Sequence, residues 1–199
     1  MGSVIVTNIV SLDGFDRDAE GSPLSLNMDA AFDAYNLERI RGAAAVLLGA
    51  TSYQMFSSFW PYVAEAPADP ANPGLSDTNR EFSRIYNRVP KVLVSDNHEP
   101  AADNPWFDTT TRVGRDEVAD WVAAQRGRVA GDLVVFASRT TWNGLLQQGL
   151  VDEVHLVVGP RALGAGGPVF EQPTQLRLLG ARRLDGSENV LLTYTAPAS

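Results

Sequence analysis

The chain is 199 residues long, 44% hydrophobic and 20% charged, proportions that exclude disorder, collagen and coiled coil and suit one buried core rather than two domains. Its formal net charge of −8 argues against a nucleic-acid or anionic-membrane surface, because following phosphates requires an excess of Lys and Arg. The lack of cysteine rules out disulfides, thiolate metal sites, iron–sulfur clusters and a cysteine nucleophile. With no basic and apolar leader pattern, and no apolar run near ~18 residues, the expectation is a cytoplasmic protein that does not span a membrane.

Ser3 to Val10 is apolar and β-branched, the pattern of an interior strand. Ser11-Leu12-Asp13-Gly14-Phe15 ends it, with Asp13 and Gly14 suited to a turn. Asp16 to Ser25 reads as a polar loop. A helix is expected over Met28 to Arg41, with Asn27 as cap, Phe32, Tyr35 and Ile40 on one face and Gly42 as stop. Ala43 to Leu48 is the next buried strand, and Gly49-Ala50-Thr51-Ser52-Tyr53 opens another helix, for which Thr51 is a candidate cap.

Pro61 to Gly74 lacks periodicity and is expected to be a surface loop. Ser76 to Arg88 is a helix capped by Ser76 or Asp77, and Pro90 breaks it. Lys91 to Ser95 is a short strand followed by Asp96 and Asn97. Trp106 to Val113 is a strand candidate, and Gly114 to Arg126 a helix with Val118, Trp121 and Val122 inward. Asp132 to Phe136 is apolar enough to be covered on both faces, as in a parallel sheet.

Ala137 to Thr140 then leads into a helix over Thr141 to Gln148, closed by Gly149. A strand, a turn and a helix N-terminus in succession form an anion site. The strand Val154 to Val158 precedes Gly159-Pro160. Gln175 to Leu184 and Asn189 to Thr195 flank a Gly-containing turn and predict a terminal antiparallel hairpin, and Ala196 to Ser199 is expected to fray. The two histidines, His98 and His155, are far apart, and His155 reads as a satisfied sheet residue. There is no metal motif, nucleophile elbow or P-loop.

The blocks Gly149-Leu150-Val151-Asp152-Glu153, Gly159-Pro160 and Leu163 to Phe170, in this order and spacing, resemble the dihydrofolate-reductase-like family that includes the reductase domain of riboflavin biosynthesis. The resemblance implies a three-layer α/β domain with a central, mostly parallel sheet and a C-terminal antiparallel hairpin. It also implies NADP or NAD as cofactor, a pterin- or pyrimidine-like heterocycle as substrate, and a homodimer.

Carried onto this sequence, it places the cofactor at Gly49, Ala50, Thr51, Ser95, Asp96, Ala137, Ser138, Arg139 and Thr140. It places substrate at Asp13, Phe15 and Tyr53, and a proton-relaying acid at Asp33, which stands 16 residues before Gly49. Asp29 is an alternative acid, and Asp33 alternatively sits on a solvated face.

Three positions depart from the family pattern. Ala50 supplies no guanidinium, and Ala137 adds a methyl where a second glycine is usual. Asp96 stands where a cation would meet a 2′-phosphate; it either accepts from a 2′-hydroxyl or is a plain turn residue. Arg112, Arg115 and Arg139 are replacement cations or surface residues. Two readings therefore stand: a nicotinamide-dependent reductase, and a scaffold that binds another small molecule, flavin or deazaflavin included, without nicotinamide chemistry.

Overall fold

The apolar β-branched runs become the interior of one sheet. In a computed structural model of the chain, residues 2–67, 69 and 71–196 are described. Strand β1 (Val4–Val10) is buried at every position, and β3 (Ala43–Gly49), β4 (Lys91–Val94), β6 (Asp132–Phe136) and β7 (Glu153–Val158) are buried through their centres. Such runs need cover on both faces, and the helices supply it.

Strand β5 (Thr110–Val113) joins these strands, and the C-terminal β9 (Arg177–Arg183) and β10 (Val190–Thr195) complete an eight-stranded sheet of order β5-β4-β3-β6-β1-β7-β10-β9. The first six strands in that order are mutually parallel, while β10 runs antiparallel to both β7 and β9. The largely parallel sheet with its terminal hairpin is as the sequence implies. An element the sequence did not announce is a small antiparallel pair, β2 (Phe15–Arg17) with β8 (Gly167–Pro168).

Three helices, α1 (Ala30–Arg41), α2 (Ala50–Ser57) and α4 (Asp77–Arg88), cover one face. There Leu37, Ile40, Tyr53, Phe82 and Tyr86 pack on Val46, Leu48, Leu93, Val134 and Phe136. On the other face α5 (Val118–Gln125) and α6 (Arg139–Gln147) bring Val122, Trp142 and Leu145 against Val6, Leu47 and Val135. The result is three layers.

Several boundaries differ from the sequence reading, each for a local reason. The cap of α1 is Asp29, whose carboxylate accepts from the amides of Ala31 and Phe32; Asn27 instead donates its side-chain amide to Asp29 and Asn189. The expected loop at Pro61 begins inside a short helix, α3 (Trp60–Val63). Only Thr110–Val113 of the Trp106 segment is strand, because the Trp106 carbonyl is taken by the Thr109 amide and the Thr110 hydroxyl in a tight turn. Helix α5 starts at Val118, after a turn in which the Glu117 carboxylate caps the Gly114 amide. Of the tail expected to fray, 197–199 lie outside the described residues.

Candidate active site

Strands β4, β3, β6 and β1 are consecutive neighbours and parallel, so Ser95, Gly49, Ala137 and Ser11 leave the sheet along one edge. From β3 the chain enters α2 on one face; from β6 it enters α6 on the other. The ends of β3 and β6 therefore flank the crevice where open α/β sheets bind ligands.

Two turns are stitched together at this crevice. The Gly49 amide donates to Ser138 Oγ at 3.0 Å, and the Ser138 amide donates to Ser52 Oγ at 3.1 Å. Ala137 and Ser138 both have φ of 49°, a left-handed conformation that costs a residue with a Cβ roughly 1–2 kcal/mol; such strain gathers at functional sites. A Cβ at Gly49 would lie 2.8 Å from Thr141 Oγ1, so a side chain there would force Thr141 to shift.

Gly49, not Thr51, is the N-cap of α2, and neither α2 nor α6 has a side-chain cap. The first-turn amides of Ala50, Thr51 and Ser52, and of Arg139, Thr140 and Thr141, are thereby left without helical partners. Two positive helix ends thus face one crevice, the electrostatics that suit an anion.

The charges around α6 are self-compensating. Arg139 donates to the Pro168 carbonyl at 2.7 Å, and its Nε lies 3.6 Å from Glu171 and 3.9 Å from Asp16. Glu171 also accepts from the Thr140 hydroxyl. Burial raises the Asp16 carboxyl above its ordinary range, against the pull of Arg17 and Arg139. Asn143, 2% exposed, ties α6 to the segment after β8 by donating to the Val169 carbonyl and accepting from the Glu171 amide. Asp16, Asn143 and Glu171 were not singled out from the sequence, because the contacts that bring them together, Asp16 with Arg139 and Asn143 with Val169 and Glu171, span distances along the chain that periodicity does not reveal.

At the end of β4, Ser95 Oγ accepts from the amides of Asn97 and His98. Asp96 accepts from the Arg115 amide at 2.8 Å, with Arg115 Nε 3.7 Å from its other oxygen. Arg112 donates to the carbonyls of Ser95 and Asp96 and pairs with Glu99 at 2.7 Å.

The remaining predicted residues divide. Asp13 accepts from the Ser11 hydroxyl at 2.6 Å and from the amides of Leu163 and Gly164 at 3.0 and 2.7 Å, bonds that hold its carboxyl down to about 2. It clamps the glycine-rich loop to the end of β1. Phe15 pairs with Pro168 in the small sheet. Tyr53 is 2% exposed, with its hydroxyl 3.2 Å from Thr110 Oγ1, on the β5 side rather than among the crevice groups. Asp33, in the first turn of α1, accepts from Asn79 Nδ2 at 2.8 Å, and burial pushes it up to about 6, with the Asp29 charge adding and the Asn79 bond opposing. Asp29 is fully engaged as a helix cap and as acceptor for Asn27, Ser187 and Asn189.

No curated protein matches the chain. Among solved structures, a riboflavin biosynthesis protein from Shewanella sp. PV-4 is 20% identical with a TM-score of 0.66, covering 98% of both chains. RibD of Acinetobacter baumannii is 18% identical with a TM-score of 0.70; the match takes in 98% of this chain but 58% of that one. A pyrimidine reductase-like protein from Corynebacterium diphtheriae is 15% identical with a TM-score of 0.64, over 100% of this chain and 93% of the other. These likenesses establish the fold. The profile of the RibD C-terminal domain matches residues 2–190, and the chain belongs to that family.

Proposed function

We propose that the chain is a one-domain, nicotinamide-dependent reductase of a small, flat, pyrimidine-like heterocycle. The observation that carries this is the pair of uncapped helix N-termini meeting at the β3–β6 crevice in a member of the RibD C-terminal domain family. The likeness to the pyrimidine reductase-like protein of Corynebacterium diphtheriae supports the substrate class.

The residues present fit a dinucleotide at its phosphates. The first-turn amides of α2 and α6, with the Thr51 hydroxyl, would hold the pyrophosphate, and Arg139 lies at the same helix end. When bound, the dihydronicotinamide would supply a hydride to the carbon of a C=N or C=O bond. The heteroatom then needs a proton. Asp33 is the candidate donor, since burial keeps it protonated up to about pH 6. Asp13 orders the loop beside the substrate by its clamp on Leu163 and Gly164. Titration of the protein with NADH and with NADPH, followed by tryptophan fluorescence, tests the reading; no response to either at millimolar concentration would sink it.

A second reading has its own support: Ser138 places a hydroxyl in the crevice, and Asp16 and Glu171 offset the charge of Arg139. On that reading the scaffold binds a different small ligand without nicotinamide chemistry. Mass spectrometry of gently isolated protein would then find a co-purified molecule that is no nicotinamide.

We also propose a homodimer. Leu178 and Leu179 are exposed on the sheet edge, and a cavity of about 510 Å³ lined by Val10, Leu156, Val158 and Leu192 opens nearby; apolar surface of this kind suits a second copy. A sedimentation run showing only a 21.5 kDa species would remove it.

A further inference from the structure

The end of β4 bears on which dinucleotide the site takes. In open α/β sheets a dinucleotide lies across neighbouring strand ends. Its pyrophosphate sits on the glycine turn, and its adenosine ribose reaches the next strand, where an acidic group accepts from a 2′-hydroxyl or a cation meets a 2′-phosphate. Here the glycine turn is Gly49 on β3. The neighbour on the side away from β6 is β4, which runs into Ser95-Asp96.

Asp96 is exposed, and only one of its oxygens is fully used: Oδ1 accepts from the Arg115 amide, whereas Oδ2 has the Arg115 Nε at 3.7 Å. That second oxygen retains capacity to accept from a hydroxyl. Of the two arginines here Arg112 is committed, whereas the exposed Arg115 guanidinium has only the Asp96 carboxylate facing it, at 3.7 Å. Arg112 spends its Nη1 on the carbonyls of Ser95 and Asp96 and its Nε on Glu99; Arg115 faces Asp96. Glu117 adds a further carboxylate at the Gly114 amide of the same turn. Asp96, Glu99 and Glu117 against Arg112 and Arg115 leave this corner one charge negative.

We infer that Asp96, together with the Glu99–Arg112 pair, makes the site select NADH over NADPH. This rests on the reductase reading above. A 2′-phosphate would meet the Asp96 carboxylate, would share Arg115 with it, and would have to displace Glu99 to reach Arg112. A 2′-hydroxyl needs only the open Asp96 oxygen. Loss of one charge-assisted hydrogen bond, with a like charge facing the phosphate, sets a preference of roughly 10- to 100-fold.

The test is calorimetric titration of the full chain with NADH and NADPH, and with AMP against adenosine 2′,5′-bisphosphate, a pair that differs only in the 2′-phosphate. The expected result is at least roughly tenfold tighter binding of NADH and AMP, with the double variant Asp96→Ser/Glu99→Gln, which frees Arg112 and leaves Arg115 unopposed, reversing the ratio. Asp96→Asn keeps an acceptor for the Arg115 amide and should reduce the preference without disturbing the fold, as thermal melting checks. Equal binding, or tighter NADPH, in the parent chain would overturn this inference while leaving the reductase reading intact. Binding of no nucleotide at all would remove both.

Discussion

Ser138 Oγ accepts the Gly49 amide across 89 residues of sequence, joining the turn after β6 to the turn after β3. The bond is made from a left-handed backbone that Ala137 shares. Ala137 has only the strain, since none of the described side-chain hydrogen bonds depends on it. Ala137→Gly should therefore stabilise the fold by about 0.5–1 kcal/mol, the left-handed penalty less the entropy that glycine adds to the unfolded chain. Ser138→Ala should do the opposite, by about 1–3 kcal/mol, because the Gly49 amide loses its acceptor. Urea denaturation of both variants checks the pair of signs; a destabilised Ala137→Gly would mean that the turn is not strained.

Asp33 predicts a pH dependence of stability and of turnover. Its folded pKa of about 6 lies above the ordinary 3.8, so its favourable contribution is present below about pH 4 and is lost as pH rises through about 6. Asp33→Asn, which can still accept from Asn79, should melt higher than the parent at pH 7 and match it near pH 4. If Asp33 is the proton donor, kcat/KM falls as pH rises through about 6 in the parent, and this limb is absent in the variant. A variant that keeps the limb assigns the proton to another group.

Asp13 has the opposite sign. Held down to about 2 by Ser11, Leu163 and Gly164, it contributes stability above the ordinary carboxylate pKa of 3.8 that is lost as pH falls through about 2. Replacement by Asn should flatten the acid side of the stability curve between pH 4 and pH 2 and loosen the 163–164 loop. Amide exchange at Leu163 and Gly164 reads this directly: unchanged protection in the variant would show that the clamp is not Asp13.

The layers and the parallel sheet were legible because β1, β3 and β6 are largely apolar runs, a pattern that a covered sheet explains. The convergence of Gly49, Ser95 and Ala137 followed from the alternation of strands and helices. What periodicity could not carry were bonds between distant residues. Asn189 donates to the Asn27 carbonyl and to Asp29, 162 and 160 residues away, and this network, not an Asn27 cap, fixes the start of α1. His155 likewise reads as a sheet residue from its neighbours, but only the fold pairs it with the Tyr35 hydroxyl on one ring nitrogen and Glu153 on the other. Tyr53, expected at the substrate, spends its hydroxyl on Thr110, a partner that periodicity could not reveal.

Lys91 gives the last prediction. It is the only lysine of the chain and is 1% exposed at the start of β4. Its ammonium donates to the Tyr86 carbonyl at 2.7 Å, in the last turn of α4, and lies 4.7 Å from the Trp106 ring centre. Burial pushes its pKa down to about 7 from 10.5. Between those values the unfolded chain binds the additional proton, so this group makes stability rise with pH from about 7 to about 10.5. Lys91→Met should abolish that rise. It should also cost about 1–3 kcal/mol at neutral pH, because the Tyr86 carbonyl is left buried without its donor and the cation–π contact is gone. An amine-reactive reagent offers a direct check: Lys91 should resist labelling in the folded chain and react once the chain is unfolded. Rapid labelling under native conditions would place the ammonium in water and cancel both expectations.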